Sequence, residues 1–215
     1  MPIPKTVAWA QKLQAIAQTG LHYNPPPFDR ERYEHVGEIA AEMMNATGSA
    51  DLDTIRALFD AQSGHATPKT DVRGVVFRDG CILLVQEKLD GNRWTLPGGW
   101  ADIGESAGEA VVREIYEESG YSTRAVKLLA LYDRNKHEHP PYPFHAYKAF
   151  FRCELSDAER RIDPAQTGAS FTETGEVGWF AEDALPELSV GRVTQVEIVR
   201  FFQHLRQPDL PTDFD

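Results

Sequence analysis

The stretch GGWADIGESAGEAVVREIYEESGY, residues 98–121, places six carboxylates in 24 positions and sets only one cation, Arg113, among them. Most of this stretch is predicted to form a helix. Ser106 and Glu109 have the spacing of a capping box, and Gly120 suits the left-handed residue that follows a helix. Like charges at helical spacings of three and four destabilise a helix by roughly 0.2–0.5 kcal/mol per pair. The crowding therefore needs an explanation beyond helix formation.

Three of these carboxylates, Glu114, Glu117 and Glu118, fall within an arc of roughly 100° near the C-terminal end of the predicted helix. They repel one another, and they lie at the negative end of the helix dipole. A bound divalent cation removes both penalties, because Mg²⁺ and Mn²⁺ prefer oxygen ligands and bridge carboxylates to substrate phosphates. The residue types alone favour a metal site here over an ordinary charged helix.

The spacing of these residues also matches a known signature. It resembles the Nudix box, G-x5-E-x7-R-E-U-x-E-E-x-G-U with U a bulky apolar or aromatic residue, at every defined position. The matching residues are Gly99, Glu105, Arg113, Glu114, Ile115, Glu117, Glu118, Gly120 and Tyr121. The resemblance implies an α/β fold, a Nudix-type α/β/α sandwich with a mixed sheet. It also implies an enzyme that hydrolyses the pyrophosphate bond of a nucleoside diphosphate linked to another moiety, X.

The resemblance further implies roles for individual residues. The three clustered carboxylates match the metal-binding positions of the family, and the carbonyl of Gly98 matches a frequent additional ligand. The implied cofactor is Mg²⁺ or Mn²⁺, with Glu117 and Glu118 also taking part in catalysis. Glu105 and Arg113 match positions that commonly interact across the loop and the helix. A salt bridge between them is favoured over a catalytic role for Glu105 and a substrate-binding role for Arg113.

The general base is not fixed by the box, because members of the family differ in where it lies. Glu173 precedes Trp179 by six residues, a spacing that resembles the late metal-associated glutamate of some Nudix enzymes. Glu173 is the favoured candidate for the base or for an additional metal ligand. Glu176 and a box glutamate stay open as alternatives.

The segment DRNKHEHPPYPFHAYK, residues 133–148, is the densest local collection of phosphate donors and stacking rings in this acidic chain. Its candidate substrate-binding residues are Arg134, His137, His139 and His145. An alternative of equal weight is a solvated hairpin loop whose prolines protect a sheet edge.

A small helical extension is predicted for residues 1–64. An apolar helical stripe at 5–19 stops at Gly20, a second helix has Asp29 as its expected N-cap, and a third follows in DLDTIRALFDA. The extension resembles that of a bacterial Nudix subgroup that hydrolyses X-linked nucleoside diphosphates such as ADP-ribose and CDP-choline. It is expected to cover the pocket as a lid or to build a homodimer, with a stabilising collar as the alternative.

The remaining chain divides into a predicted Nudix domain at 65–207 and a frayed C-terminal tail at 208–215. Within the domain, Arg-Asp-Gly at 78–80 between β-rich runs predicts a hairpin. The run RWTLPGGW is predicted to form one strand. Thr194 followed by Glu197 predicts a capped final helix.

The composition narrows the expected partners. The net charge is -11, from 22 Lys+Arg against 33 Asp+Glu, which argues against non-specific binding to nucleic acid or to an anionic membrane. The N-terminus lacks the apolar core of a signal peptide and no run is long enough to span a membrane, which predicts a cytoplasmic protein. The expected partner is a small nucleoside diphosphate derivative. An RNA 5′-end pyrophosphohydrolase or nuclease and a non-catalytic Nudix sensor are the alternatives.

Overall fold

The computed structural model describes residues 3–48, 50–156 and 174–215. The chain separates into two compact units. Residues 1–69 together with 134–146 form what we term the helical unit, and residues 70–133 together with 147–215 form the sheet unit. The domain boundaries expected from the sequence, after residues 64 and 207, stay predictions.

In its described residues the helical unit contains three α-helices: α1 (Lys5–His22), α2 (Pro27–Asn45) and α3 (Leu52–Asp60). They pack around a small apolar core. Its fully or almost fully buried members are Val7, Ala10, Ala41, Met44 and Ile55. None of the helices in the described residues combines the length and the apolar character that crossing a bilayer requires.

The segment 134–146 folds with these helices through side-chain contacts. The Asn135 side-chain amide donates to Gln11 Oε1 at 2.7 Å, and the Gln11 amide donates to the Tyr142 carbonyl at 2.8 Å. The rings of Phe59 and Phe144 lie 6.3 Å apart. The segment is therefore a structural part of the helical unit.

Two helix boundaries predicted from the sequence are wrong. Helix α1 continues through Gly20, which lies opposite the Tyr33 ring; a Cβ at Gly20 would lie 2.5 Å from that ring. The glycine therefore allows close packing of α1 on α2 instead of ending α1. Helix α2 begins at Pro27 with Pro26 as its N-cap, because proline fixes φ for the first helical turn. Asp29 lies in that first turn and is not the cap.

The sheet unit contains the strands and the last two helices. In chain order these are β1 (Lys69–Arg78, which begins at the unit boundary), β2 (Cys81–Glu87), β3 (Arg93–Thr95), β4 (Gly98–Trp100), α4 (Ala107–Ser119), β5 (Thr123–Asp133), β6 (Ala146–Leu155), β7 (Thr174–Phe180), α5 (Gln195–Arg206) and β8 (Asp213–Phe214). Asp79 and Gly80 both have positive φ, 51° and 79°, as a type I′ hairpin turn requires. This confirms the hairpin predicted at 78–80.

In the described residues, eight strands form one mixed sheet whose main path is β3-β2-β1-β6-β5-β8, with β4 paired to β1 and β7 to β2. Strand β8 is parallel to β5, while β2 is antiparallel to β1, β3 and β7. Alternate residues of a strand face opposite sides of a sheet. Val75 accordingly packs in the cluster that contains Phe201 of α5, and Val76 packs in the cluster that contains Ile115 of α4. The sheet lies between these two helices, which confirms the predicted α/β/α sandwich.

Two further expectations for this unit are wrong. The run RWTLPGGW is not one strand, because β3 pairs with β2 while β4 pairs with β1, and Pro97 separates them. The tail is not frayed over its whole length, since β8 pairs with β5. Asp213 in β8 also receives two hydrogen bonds from Arg200, at 2.7 and 2.6 Å, and contacts His204 Nε2 at 2.9 Å.

The Asp213 contacts predict a pH-dependent contribution to stability. Hydrogen bonds from Arg200 and His204 lower the pKa of Asp213 from 3.8 to about 2. Because the folded value lies below the unfolded one, the stabilisation is complete above the unfolded pKa and disappears as the pH falls toward the folded pKa. Asp213→Asn should therefore reduce the free energy of unfolding by about 2 kcal/mol at pH 6.

This difference is measured by denaturant unfolding of both proteins at pH 6, 4 and 3, where we expect it to shrink step by step. Asp209→Asn, an exposed tail position, serves as the control. A difference between Asp213→Asn and the wild type that does not change with pH would contradict the assignment.

Candidate active site

Helix α4 is fixed at both ends by its own sequence. The Glu109 N–H donates to Ser106 Oγ at 3.3 Å, and the Ser106 N–H donates to Glu109 Oε2 at 2.8 Å, which completes the predicted capping box. The helix ends before Gly120, whose φ is 72°. Ile115 packs directly on β1, because Gly74 leaves no Cβ that would otherwise lie 2.4 Å from the Ile115 side chain. The C-terminal turn of α4 is thereby held close to the sheet.

The glycine pair at the start of β4 lies directly against two of the helix carboxylates. Gly98 has a φ of 143°, and a Cβ there would lie 2.0 Å from the Val72 carbonyl oxygen. Its N–H donates to Glu118 Oε2 at 2.8 Å. A Cβ on Gly99 would lie 3.1 Å from Glu114 Oε1. Gly98 therefore lets β4 approach the backbone of β1 closely, and the missing side chain of Gly99 leaves room for the Glu114 carboxylate.

Arg113 is shared among four carboxylates. Its Nε donates to Glu105 at 2.9 Å, which confirms the predicted salt bridge between loop and helix. One terminal nitrogen contacts Glu114 at 3.0 Å and Glu117 at 3.1 Å, and the other lies 3.4 Å from Asp102. The hydrogen bond to Glu105 is the largest cause that raises the pKa of the Arg113 guanidinium. Arg113 thus neutralises part of the cluster and fixes the loop that precedes α4.

The carboxylates nearest the glycine pair are disfavoured in their ionised form. Burial raises the pKa of Glu118 to about 8, against the opposing effects of Arg73 and the Gly98 N–H. Burial also raises the pKa of Glu114, against the opposing effect of Arg113. Such carboxylates gain most from a cation placed between them.

The oxygen atoms of these carboxylates suit a hard divalent cation, although the side chains do not converge on one point. Among the residues that the structure describes, no three His, Cys, Asp or Glu side chains converge closely enough to hold a metal ion. The three carboxylates have different partners, because Arg113 donates hydrogen bonds to Glu114 and Glu117 while the Gly98 N–H donates to Glu118. Glu114 and Glu118 lie against the glycine backbone, and Glu117 shares the Arg113 guanidinium with Glu114, so these carboxylates offer the oxygen ligands that Mg²⁺ and Mn²⁺ prefer.

The structure therefore brings together the box candidates Gly98, Glu105, Arg113, Glu114, Glu117 and Glu118. Arg134, His137, His139 and His145 lie in the helical unit. Arg134 and His139 are buried, and the Arg134 guanidinium donates to the Pro140 carbonyl at 2.9 Å and lies over the Tyr142 ring. His137 and His145 are half-buried. The substrate-binding role of these residues stays a prediction.

Two candidate bases lie beyond the box, Glu173 and Glu176. Glu173 lies outside the described residues. Glu176 is exposed on β7, where its backbone N–H contacts Gln86 Oε1 at 3.4 Å. Neither is identified as the base by these contacts.

Arg73 is a site-related residue that the sequence analysis did not identify. It lies on β1 opposite Gly98 of β4, and its charge acts on Glu118 and Glu114. The available signal was the run TDVRGVV, in which Asp71 and Arg73 share one face of an otherwise apolar strand.

Comparison with known proteins gives matches over both parts of the chain. Residues 67–202 match the family of NUDIX domains, and residues 4–59 match a family described as a UDP-X-like, N-terminal oligomerisation domain. The chain is 46% identical over 206 residues to YjhB of Bacillus subtilis (strain 168), which is provisionally named as an ADP-ribose pyrophosphatase. That match covers 96% of this chain and 95% of the Bacillus protein.

Two solved structures are similar in both sequence and fold. An ADP-ribose pyrophosphatase from Streptococcus suis 89-1591 is 34% identical with a TM-score of 0.59, and the match covers 69% of this chain and 100% of that one. A UDP-X diphosphatase is 31% identical with a TM-score of 0.59, and the match covers 100% of both chains.

Proposed function

The chain belongs to the Nudix hydrolase family, and we propose that it hydrolyses the pyrophosphate bond of a nucleoside diphosphate linked to a second moiety X, of the UDP-X or ADP-ribose type. The products are a nucleoside monophosphate and phosphorylated X, formed from small-molecule substrates in the cytoplasm. The observation that carries the proposal is the position of Glu114 and Glu118 against the Cβ-free backbone of Gly98 and Gly99, with Glu117 joined to Glu114 through Arg113. Similarity to the Bacillus and Streptococcus proteins and to the UDP-X diphosphatase supports the substrate class.

Nudix enzymes generally use divalent metal cations, and we propose that this chain holds Mg²⁺ or Mn²⁺. The three clustered carboxylates, Glu114, Glu117 and Glu118, and the Gly98 carbonyl are the proposed ligands. When bound, such a cation neutralises the charge of the diphosphate and orients the leaving group. The chain itself contributes Arg113, which fixes the loop before α4 and limits repulsion among the carboxylates.

The proton of the attacking water needs an acceptor within hydrogen-bond reach. We propose Glu173 as the base, with Glu176 and the box glutamates Glu117 and Glu118 as the alternatives. Glu105 has both carboxylate oxygens bonded to Arg113, which supports a positioning role for it over direct proton transfer.

A substrate panel tests the proposed function. The purified protein is incubated with Mg²⁺ or Mn²⁺ and with ADP-ribose, a UDP-sugar, CDP-choline or a 5′-triphosphorylated RNA, and the products are separated by ion-exchange chromatography. We expect equal amounts of nucleoside monophosphate and phosphorylated X from at least one small substrate. Cleavage of RNA alone, or tight binding of the nucleotides without turnover under any divalent metal, would overturn the proposal.

We also propose that the protein is a homodimer built by its helical unit. The match of residues 4–59 to an oligomerisation domain supports this, and so does an exposed apolar stripe on α1. Trp9 and Ile16 are 53% and 54% exposed and lie seven residues apart, so they share one face of α1, and Tyr23, the residue that follows the helix, is 68% exposed. Ile16→Glu should lower the molar mass measured by light scattering, whereas Val196→Glu, at an exposed apolar position on α5, should not.

A further inference from the structure

Three charged side chains are buried together on the face of the sheet that packs against α5. Asp71 and Arg73 of β1 and Lys148 of β6 have side chains that are at most 8% exposed. Asp71 Oδ1 accepts from Arg73 Nε at 3.0 Å, and Asp71 Oδ2 accepts from Lys148 Nζ. Burying charges is unfavourable, and well-packed apolar residues in their place often give an equally stable or more stable protein. Stability alone is a weak reason for this cluster.

Hydrogen bonds to the backbone segment 96–98 connect the cluster to the active site. Arg73 donates through a terminal nitrogen to the Leu96 carbonyl at 3.2 Å, and the neighbouring amide of β1 donates to the Pro97 carbonyl at 2.8 Å. The next residue is Gly98, whose N–H donates to Glu118 Oε2 at 2.8 Å. Arg73 therefore holds the backbone segment that in turn holds the Glu118 carboxylate.

The charge of Arg73 is coupled to the carboxylates around it. Burial acts to lower the pKa of Arg73, but Asp71, Glu118 and Glu114 together hold it above its usual value. Arg73 therefore acts electrostatically on Glu118 and Glu114 of α4 as well as through the backbone that it holds.

We propose that Arg73 is a positioning residue for pyrophosphate hydrolysis, anchored by Asp71 and Lys148. It fixes the backbone from Leu96 to Gly98 and, through the Gly98 N–H, the orientation of Glu118. Arg73 acts through this backbone and not on the reacting atoms. The reaction that it serves rests on the proposed function, whereas its effect on the carboxylate site does not.

The experiment compares Arg73→Gln and Arg73→Lys with the wild type and with Arg93→Gln. Arg93 is the matched control, because it lies in the same unit and pairs with two carboxylates, Asp90 and Glu187, at the surface. Three quantities are measured: the melting temperature, the affinity for Mn²⁺ without substrate by electron paramagnetic resonance, and kcat and KM at saturating Mn²⁺.

We expect Arg73→Gln to weaken Mn²⁺ binding about 10–100-fold and to lower kcat to a similar extent, as is typical when a residue that orients a metal ligand is lost. Arg73→Lys keeps the charge but has no planar fork to reach Asp71 and Leu96 together, so its losses should be several-fold. Arg93→Gln should leave both quantities unchanged.

A lower melting temperature for Arg73→Gln with wild-type Mn²⁺ affinity and kcat would overturn the proposal, because the cluster would then be only structural. If Arg73→Gln does not fold, Arg73→Lys decides: weakened Mn²⁺ binding supports the proposal, and wild-type binding and kcat overturn it. Lack of turnover by the wild type would overturn the proposed function instead, and the substrate-free Mn²⁺ comparison distinguishes that failure from this one.

Discussion

Replacement of Glu118 by glutamine is expected to reduce kcat/KM by at least about 10³-fold while the protein stays folded, since a lost metal ligand removes several kcal/mol of transition-state stabilisation. The amide oxygen of glutamine still accepts the hydrogen bond from the Gly98 N–H. Burial raises the pKa of the Glu118 carboxyl to about 8. Above the ordinary pKa of a glutamate, this carboxyl therefore destabilises the folded protein relative to the unfolded one. The neutral side chain removes this cost, and we expect a melting temperature equal to or above that of the wild type.

Glu109→Gln is the matched control for this variant. Glu109 is an exposed glutamate on the same helix, and its carboxylate accepts from the Ser106 N–H and hydroxyl. Glutamine also serves at this position of a capping box, so kcat/KM should change by no more than about twofold, within the range of ordinary surface substitutions. Both variants are assayed on the best substrate of the panel at saturating Mg²⁺. Retention of more than about a tenth of wild-type kcat/KM by Glu118→Gln, a loss of only ~1.4 kcal/mol, would show that Glu118 is not a required ligand.

Replacement of Gly98 by alanine is expected to destabilise the protein by about 2–5 kcal/mol and to remove most of the activity. The backbone at Gly98 has a φ of 143°, which L residues rarely adopt, and the added Cβ would lie 2.0 Å from the Val72 carbonyl oxygen. Strands β1 and β4 must move apart to relieve this clash. The Gly98 N–H then shifts away from Glu118, so the metal site is disturbed together with the fold.

Gly80→Ala separates backbone strain from this clash. Gly80 has a φ of 79°, but an added Cβ there meets nothing within 4 Å. We expect a loss of about 1 kcal/mol for Gly80→Ala and unchanged turnover. Denaturant unfolding and kcat/KM are measured for both variants. Equal stability of Gly98→Ala and Gly80→Ala would contradict the close approach of β4 to β1.

The elements that could be predicted from the sequence are those that nearby residues decide. The capping boxes at Ser106 and Thr194 fix the starts of α4 and α5, because each pairs residues three positions apart. Asp79 and Gly80 decide the hairpin in the same way, since both must adopt positive φ. The resemblance to the Nudix box also predicted the salt bridge between Glu105 and Arg113, which are eight residues apart.

The features that could not be predicted depend on residues far apart in the chain. Asp71 and Lys148 are 77 positions apart, and nothing in either strand indicates that their charges are buried together. The contact between Gln11 and the Tyr142 carbonyl spans 131 positions, so the packing of the 134–146 segment in the helical unit had no local signal. Pro97 was a missed signal, because proline lacks the N–H that a continuous strand requires.

The site shows the same division between local and distant causes. The match to the Nudix box identified every box carboxylate, but it did not show that Arg113 contacts three of them and Asp102 as well, or that Glu118 accepts a hydrogen bond from the Gly98 N–H. These contacts depend on how closely α4 approaches β4, which the glycines permit and the sheet register sets.

The most direct test of the metal-dependent mechanism is an add-back measurement. Protein stripped by a chelator is assayed on ADP-ribose and on a UDP-sugar, before and after Mg²⁺ or Mn²⁺ is returned. We expect no turnover by the stripped protein, equal amounts of nucleoside monophosphate and phosphorylated sugar after add-back, and neither product from Glu118→Gln. Turnover that persists in the stripped protein, or in Glu118→Gln, would contradict a divalent-metal site at the C-terminal end of α4.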